Sequence, residues 1–92
     1  MIRSIRHRGL KRLYERGDRS RIGQAQVEKV EVILADLDAA PTIEHLRRPG
    51  YRLHALSGGL KGYHAVSVSG NWRIVFRFED GDVFDVDLVD YH

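Results

Sequence analysis

Side chains able to move protons or bind phosphate occur in three stretches of the C-terminal half of the chain: His54, Arg73 and the run Asp90-Tyr91-His92. A histidine can accept or donate a proton near neutral pH because its ordinary pKa is about 6.5. The planar guanidinium of an arginine matches two oxygens of one phosphate. The carboxylate of Asp90 could orient an imidazole or raise its pKa, and Tyr91 could stack on a base or donate a hydrogen bond.

These groups form a sufficient set for cleaving RNA without a metal ion or cofactor. Such cleavage needs a base for the proton of the ribose 2′-hydroxyl, a cation at the attacked phosphate, and an acid for the leaving 5′-oxygen. The imidazoles of His54 and His92 suit either proton transfer, and Arg73 suits the phosphate. The residue types alone do not say which imidazole is the base.

The strands that must position these residues are predicted from alternation. Residues 72–78 alternate between large apolar side chains and a second set that includes Arg73 and Arg77, which is typical of a strand with one face in a core. Gly70-Asn71 before this run and the polar residues 79–82 after it suit tight turns. A second alternating run covers residues 83–89, so a hairpin would bring the end of the chain beside Arg73.

Two further strands are predicted over residues 51–56 and 63–69, separated by a loop with three glycines. With the hairpin they make an antiparallel meander of about four strands. Residues far apart in sequence, such as His54 and Arg73, can then meet on the exposed face of the sheet.

The N-terminal half has a helical period instead. Apolar residues recur at spacings of three and four over residues 9–16 and 24–37, with Ser20 a possible N-cap for the second helix, and residues 1–5 form a weakly patterned strand. A helix of this kind must bury its apolar stripe against a sheet. The whole chain, residues 1–92, is therefore predicted to be one α+β domain with both N-terminal helices on one face of the sheet.

Simpler interpretations of the site residues stay open. A strand histidine such as His54 is more often a surface residue than a catalyst, and a terminal Asp-Tyr-His is usually a frayed end. Arg73 and Arg77 could instead pair with the acidic side chains of the returning strand, Asp85 and Asp87. For Arg77 we favour this structural pairing.

A metal site is less well supported by the sequence. Zinc ligands from His54, His64 and His92 are conceivable, but these residues lack the short spacing typical of zinc sites. The glycine-rich loop also lacks the lysine and the spacing of a P-loop, so nucleotide binding is not expected.

The composition is that of an ordinary globular protein, with 92 residues, 42% hydrophobic and 30% charged. Its apolar runs fall well short of the roughly 18 residues that span a membrane. The first residues lack the apolar region of a signal peptide, and there is no cysteine. These features predict a cytoplasmic protein.

Positive charge is concentrated at the start of the chain. Residues 1–23 hold eight Lys or Arg against two acidic residues, a net charge of +6, and the rest has a net charge of −4. Such density suits a surface that binds a polyanion, because each neutralised phosphate releases a counterion; a solvated helix face is the simpler alternative. The candidate RNA-binding residues in this segment are Arg6, Arg8, Lys11, Arg12, Arg16, Arg19 and Arg21.

Four segments resemble the HigB family of bacterial toxins, within the RelE-like superfamily. They are the N-terminal Met-Ile-Arg-Ser, Arg52-Leu53-His54-Ala55-Leu56, Asn71-Trp72-Arg73-Ile74 and the final Val89-Asp90-Tyr91-His92. The resemblance covers essentially the whole chain. An Asn-Trp-Arg strand followed about seventeen residues later by Asp-Tyr-His is far more specific than any single histidine.

The resemblance implies a RelE-like ribonuclease fold and cleavage of mRNA in the ribosomal A site, which inhibits translation and growth. The implied partners are a helix-turn-helix antitoxin of the HigA type, the ribosome and mRNA. The toxin would meet operator DNA only through the antitoxin, and no membrane is involved. The functional positions that carry over are His54, Arg73, Asp90, Tyr91 and His92.

One position departs from the family pattern. Relatives often have lysine just after the Leu-His-x-Leu strand, where this chain has Ser57. Lys61, in the same loop, is predicted to supply part of the missing phosphate contact. The basic N-terminal segment would then hold the toxin on ribosomal RNA without reading its sequence. The alternative is a non-catalytic module that docks on RNA or the ribosome through the same surface.

Overall fold

The computed structural model describes residues 1–90 and shows a four-stranded antiparallel sheet with two helices packed against one face. The strands follow one another across the sheet in chain order. The helices are α1 (Arg8–Arg16) and α2 (Val27–Ala39), and the strands are β1 (His54–Ala55), β2 (Tyr63–Ser69), β3 (Trp72–Glu79) and β4 (Asp82–Asp90). The predicted α+β class is confirmed. No helix within residues 1–90 is long and apolar enough to cross a membrane.

Local capping fixes the ends of α1. The Nδ1 atom of His7 accepts the N–H of Leu10 at 3.1 Å, which satisfies one donor of the first turn. Gly17 ends the helix with a φ of +69°, a left-handed conformation that glycine adopts without steric cost. Between these caps Leu10 and Leu13 are buried, so the basic residues of α1 face outward.

Helix α2 begins at Val27, later than the pattern suggested. The expectation that Ser20 caps it is wrong, because Ser20 lies well before the helix. The backbone N–H and Oγ of Ser20 bond to the carboxylate of Asp18 instead, at 3.0 and 2.6 Å. The buried stripe of α2 is nevertheless the predicted one: Val27, Val30, Ile33, Leu34 and Leu37.

The core lies between the helices and the sheet. Ile74 and Phe76 of β3 are fully buried there, and Trp72 and Phe78 pack against the same cluster. Each large apolar side chain removed from water contributes about 1.5–3 kcal/mol to the stability of the fold. The alternate residues of β3 lie on the sheet face opposite the helices, which we call the open face.

A β-bulge in β4 changes which residues reach the open face. Arg77 pairs with Phe84 whereas Val75 pairs with Asp87, so the register shifts between them. Asp85 takes the extra position, with a φ of +56°. Phe84 and Asp85 therefore both lie on the open face, and Val86 returns to the core.

The N-terminal residues extend the sheet beyond β4. The strand predicted over residues 1–5 appears as two isolated parallel bridges, Ile2 with Val83 and Ile5 with Val86. The N–H of Val86 donates to the carbonyl of Ser4 at 3.1 Å. The start of the chain thus covers the first half of the β4 edge.

Strand β1 is shorter than predicted, because only His54–Ala55 pairs with β2. Arg52 has a φ of +49°, which interrupts the extended run. Just before it, Tyr51 is buried, its hydroxyl donates to Asp36 of α2 and its carbonyl accepts the N–H of Ser67 at 2.7 Å. The short strand that carries His54 is therefore anchored at its start to both α2 and β2.

Candidate functional site

His54 and Arg73 share the open face. The register aligns His54 with Ala65, Val75 and Asp87 in one row across the sheet, and aligns Ser67, Arg73 and Val89 in the next row. Ordinary strand spacings then separate the backbones of His54 and Arg73 by about 12 Å. Their side chains can approach one phosphate lying between the two rows.

The turn before β3 holds the guanidinium of Arg73. Its Nη1 atom donates to the carbonyls of Gly70 and Trp72, at 2.7 and 3.0 Å. Gly70 has a φ of +52°, a left-handed conformation that suits glycine in a tight turn. Both bonds use the same nitrogen and neutral acceptors, and within residues 1–90 no carboxylate forms an ion pair with Arg73. The turn therefore orients the fork without neutralising its charge.

The ring of His54 is also oriented by a backbone carbonyl. Its Nδ1 atom lies 3.0 Å from the carbonyl oxygen of Arg52, and the side chain is exposed. An N–H on Nδ1 that donates to this oxygen leaves Nε2 unprotonated. His54 can then accept a proton at Nε2 from a ligand on the open face.

Asp90 lies at the end of β4, one position past the residue opposite Arg73. It pairs with Trp72, the residue just before Arg73. Asp90 and Arg73 therefore occupy alternate positions along the hairpin. Its side chain is exposed. The two remaining predicted catalytic residues, Tyr91 and His92, lie outside the described residues. The catalytic role of the Asp-Tyr-His end stays a prediction.

Arg77 has the structural pairing favoured from the sequence. Its Nε lies 3.0 Å from Oδ2 of Asp85, and its Nη1 lies 3.0 Å from Oε1 of Glu79. Asp85 also accepts from the hydroxyl of Tyr63 at 3.3 Å and contacts Oγ of Ser4 at 3.4 Å. The Arg77 guanidinium, helped by these hydroxyls, lowers the pKa of the Asp85 carboxyl, and Asp85 in turn raises the pKa of Arg77.

All seven basic residues predicted for RNA binding in the N-terminal segment are exposed. Four of them, Arg8, Lys11, Arg12 and Arg16, line one shallow depression on α1. Two of these seven also pair with carboxylates: Arg12 with Asp18 at 4.0 Å and Arg19 with Glu31 at 3.2 Å. The four residues on α1 belong to the helical side of the molecule, whereas Arg6 lies beside the edge of β4.

Lys61 and Ser57 lie in the exposed loop between β1 and β2. The loop leads into Tyr63, whose register partner is Arg77, whereas Arg73 pairs further along β2 with Ser67. Lys61 therefore lies near the Arg77 end of the open face, and its contact with phosphate stays a prediction.

His54 and His64 do not form the pair that a zinc site would need. Ala55, the neighbour of His54, is the register partner of His64, so the two imidazoles lie on opposite faces of the sheet. His64 stacks on Phe76 with ring centroids 6.0 Å apart. Burial, with Arg47 and His54 nearby, lowers the pKa of His64. Within residues 1–90 no three His, Asp or Glu side chains converge as metal ligands.

The sequence-based site omitted Phe84 on the open face and treated Asp87 only as a salt-bridge partner. Phe84 lies beside Arg77, and Asp87 shares the row of His54. A signal for the bulge was present, because Val83 and Val86 are three positions apart where strict alternation would require two or four. The carboxylate of Asp87 accepts the N–H of Leu88 at 2.9 Å.

Solved structures share this fold at low sequence identity. The YoeB-YefM toxin-antitoxin complex from Staphylococcus aureus contains a chain matched with a TM-score of 0.63 and 16% identity, over 100% of this chain and 95% of that chain. A YafQ mutant from E. coli is matched with a TM-score of 0.63 and 16% identity, over 98% and 91% of the two chains. These structures therefore have the same fold as this chain.

Sequence comparison identifies the family. The profile of the HigB-like toxin, described as RelE-like toxin of type II toxin-antitoxin system HigB, matches residues 3–92. Endoribonuclease HigB of Proteus vulgaris is 40% identical over the full length of both chains. Toxin HigB-1 of Vibrio cholerae is 32% identical, over 88% of this chain and 87% of its own. The chain belongs to the HigB-like toxin family, as its motifs suggested.

Proposed function

We propose that this toxin cleaves mRNA in the ribosomal A site by acid–base chemistry without a metal ion. The observation that carries the proposal is the placement of His54 and Arg73 on one open sheet face, each oriented by backbone carbonyls. The endoribonuclease class itself is confirmed by the full-length likeness to Endoribonuclease HigB of Proteus vulgaris.

The chemistry assigns one task to each group. Nε2 of His54 takes the proton of the ribose 2′-hydroxyl, because the contact between its Nδ1 and the Arg52 carbonyl favours a free Nε2. The 2′-oxygen attacks the adjacent phosphorus while Arg73 binds the phosphate oxygens. The bond from phosphorus to the 5′-oxygen breaks, and His92 protonates that oxygen. The products are a 2′,3′-cyclic phosphate and a free 5′-hydroxyl.

The rest of the Asp-Tyr-His end supports this reaction in the proposal. Asp90 orients the His92 imidazole, and Tyr91 stacks on a base or donates a hydrogen bond. Lys61 adds positive charge in the loop where relatives often have a lysine and this chain has Ser57. These roles are supported by the motif resemblance.

The basic N-terminal segment serves to dock the toxin on ribosomal RNA. Its seven exposed cations suit contacts with phosphates, which position a protein without reading sequence. Affinity for ribosomes should therefore fall steeply as salt rises, since each phosphate contact releases a counterion. An affinity that stays flat between low and high salt would remove this docking surface. Its ribosomal substrate places the toxin in the cytoplasm.

The toxin is controlled by a protein antitoxin encoded beside it. The family is that of type II toxin-antitoxin systems, and the matched YoeB structure is a complex with its antitoxin YefM. We assign a helix-turn-helix antitoxin of the HigA type as the partner. Operator DNA is then bound through the antitoxin, and the complex represses its own operon.

Mapping transcript 5′ ends after expression without antitoxin tests the proposal. Wild-type toxin should stop growth and cut mRNA inside codons, and the cut ends should carry a 2′,3′-cyclic phosphate and a free 5′-hydroxyl. His92→Ala should lower cleavage by about 10²–10⁴, the usual contribution of one acid–base group. His45→Ala is the matched control, because His45 is an exposed histidine on the helical-side turn Ile43–Leu46. Uncut transcripts with wild-type protein would favour a non-catalytic RNA- or ribosome-binding module.

A further inference from the structure

The guanidinium of Arg77 is a fixed plane on the open face. Its N–H bonds lie in the plane of the group, and two of them end on carboxylates, those of Asp85 and Glu79, at 3.0 Å each. Because these two acceptors are held on different parts of the hairpin, the plane cannot rotate freely. A third of the Arg77 side chain, 33%, remains exposed.

One side of this plane is backed by an aromatic ring. The guanidinium carbon of Arg77 lies over the ring of Phe84, 5.2 Å from its centroid. Phe84 is half-buried on the open face and is not part of the core cluster. The bulge at Asp85 is what places this ring beside Arg77. The ring contacts the guanidinium on the open face, so the two groups form a layered platform.

The charges around Arg77 decide what this platform can bind. Asp85 and Glu79 offset the positive charge of Arg77, so the cluster does not attract a phosphate as Arg73 does. The flat face of a guanidinium, however, stacks well on an RNA base, and aromatic and arginine platforms hold single-stranded bases in many proteins. A base is uncharged and needs no free cation.

We propose that Arg77, backed by Phe84, is a stacking platform for one nucleobase of the mRNA that flanks the scissile phosphate. Arg77 lies four positions from Arg73 on the same face of β3, which corresponds to about 13 Å along the strand. His54 lies in the row of Val75, between the two arginines, and Tyr63 pairs with Arg77. The strand of RNA held by Arg73 thus continues across the same surface to Arg77. This inference rests on the proposed function.

Substitutions that keep charge but remove the flat face test the platform. Arg77→Lys retains a cation for Asp85, and Phe84→Leu retains an apolar side chain without the ring. Each should raise KM for ribosome-bound mRNA about 5- to 50-fold with kcat within about twofold of wild type, as expected for the loss of one stacked base. Arg48→Lys is the matched control, because Arg48 pairs with Asp36 at 3.6 Å beside α2.

A fluorescent base reports stacking directly. Ribosomes are programmed with mRNA that carries 2-aminopurine at single positions around the cleaved codon and a 2′-O-methyl group at the scissile ribose. Wild-type toxin should quench 2-aminopurine at one flanking position, and Arg77→Lys and Phe84→Leu should abolish that quenching while Arg48→Lys keeps it. Thermal melting identifies any variant that has not folded. If either Arg77→Lys or Phe84→Leu fails to fold, the remaining variant tests the platform.

The outcomes separate the platform from the proposed reaction. If wild-type toxin leaves unmodified ribosome-bound mRNA uncut and quenches 2-aminopurine at no position, both the proposed reaction and the platform are overturned. If it cuts mRNA but Arg77→Lys and Phe84→Leu keep the wild-type KM and quenching, only the platform is overturned. A fall in kcat with unchanged KM, or an equal effect of Arg48→Lys, also overturns it.

Discussion

The two ends of strand β3 show how the same residue type acquires different uses. Arg73 and Arg77 lie on one face of one strand, yet Arg73 is held by two neutral carbonyls and Arg77 by two carboxylates. Carbonyls orient a guanidinium without cancelling its charge, whereas carboxylates orient it and also offset its charge. The acceptors that hold an arginine therefore determine whether it can bind an anion or only a neutral ligand.

Of the substitutions that test this comparison, Arg73→Ala should have the largest effect on activity. Arg73→Ala takes away the cation nearest the attacked phosphate, so kcat for ribosome-dependent cleavage should fall about 10²–10³-fold. Its melting temperature should stay close to that of wild type, because the lost bonds end on turn carbonyls at the surface. Single-turnover cleavage together with thermal melting measures both quantities. A loss of stability equal to that of a core variant would make Arg73 structural.

Asp85 should matter for stability at the other end of the strand. Asp85→Ala removes the acceptor shared by Arg77 and Tyr63 at a position with a φ of +56°, and should cost about 1–3 kcal/mol. Asp85→Asn should cost less, because asparagine tolerates this conformation and still accepts a hydrogen bond. Urea unfolding of both variants measures the difference.

The pH dependence of Asp85 follows from its lowered pKa. Its contribution to stability is fully present above the ordinary value of 3.8 and is lost as pH falls through the lower pKa of the folded state. Asp85→Asn should therefore flatten the fall in stability below about pH 4. An unchanged acid limb would mean that the carboxylate pairing contributes nothing.

Substitution of Lys61 should have a smaller effect on cleavage than substitution of Arg73. Lys61 is exposed in the loop that leads to the Arg77 end, so a phosphate contact there should be worth little. Lys61→Ala should lower cleavage about two- to fivefold with no change in melting temperature. Unchanged cleavage would remove the idea that Lys61 replaces the lysine that relatives often have at the position of Ser57.

Substitution of His64 should have the smallest effect of this series, and it should change the pH dependence of stability without changing activity. His64 stacks on Phe76, the neighbour of Arg77 in β3, but on the core side of the sheet. Because burial lowers its pKa, the unfolded chain takes up the proton first, and stability falls as pH drops below 6.5. His64→Phe should reduce this slope and leave cleavage at pH 7 intact. Melting curves between pH 5 and pH 8 test it, and an unchanged slope would contradict it.

Much of the sheet could be predicted from residue pattern. Strand β2 has the predicted bounds, and the Gly70-Asn71 turn and the Arg77–Asp85 pair were expected from composition and spacing. These features are local or join neighbouring strands, so the two-residue period and turn chemistry determine them. The placement of His54 and Arg73 on one face follows from the same meander.

Other features depend on contacts that no local pattern encodes. The bulge at Asp85 is stabilised by Ser4 from the opposite end of the chain, and β1 is short because Tyr51 turns inward to Asp36. The carbonyls that hold Arg73 and His54 are backbone atoms, which composition cannot place. Arg73 and Arg77 differ because Arg73 is held by carbonyls of its own turn, whereas Arg77 is held by the carboxylates of Asp85 and Glu79.

The pairing of the first residues with β4 also constrains the order in which the sheet can assemble. Ser4 bonds to Asp85 across 81 positions of sequence, so this contact can form only after nearly the whole chain has been synthesised. Until then the bulge, Arg77 and the edge of β4 lack their supports. The bulge and the ion pair of Arg77 with Asp85 can therefore assemble only once the chain is almost complete.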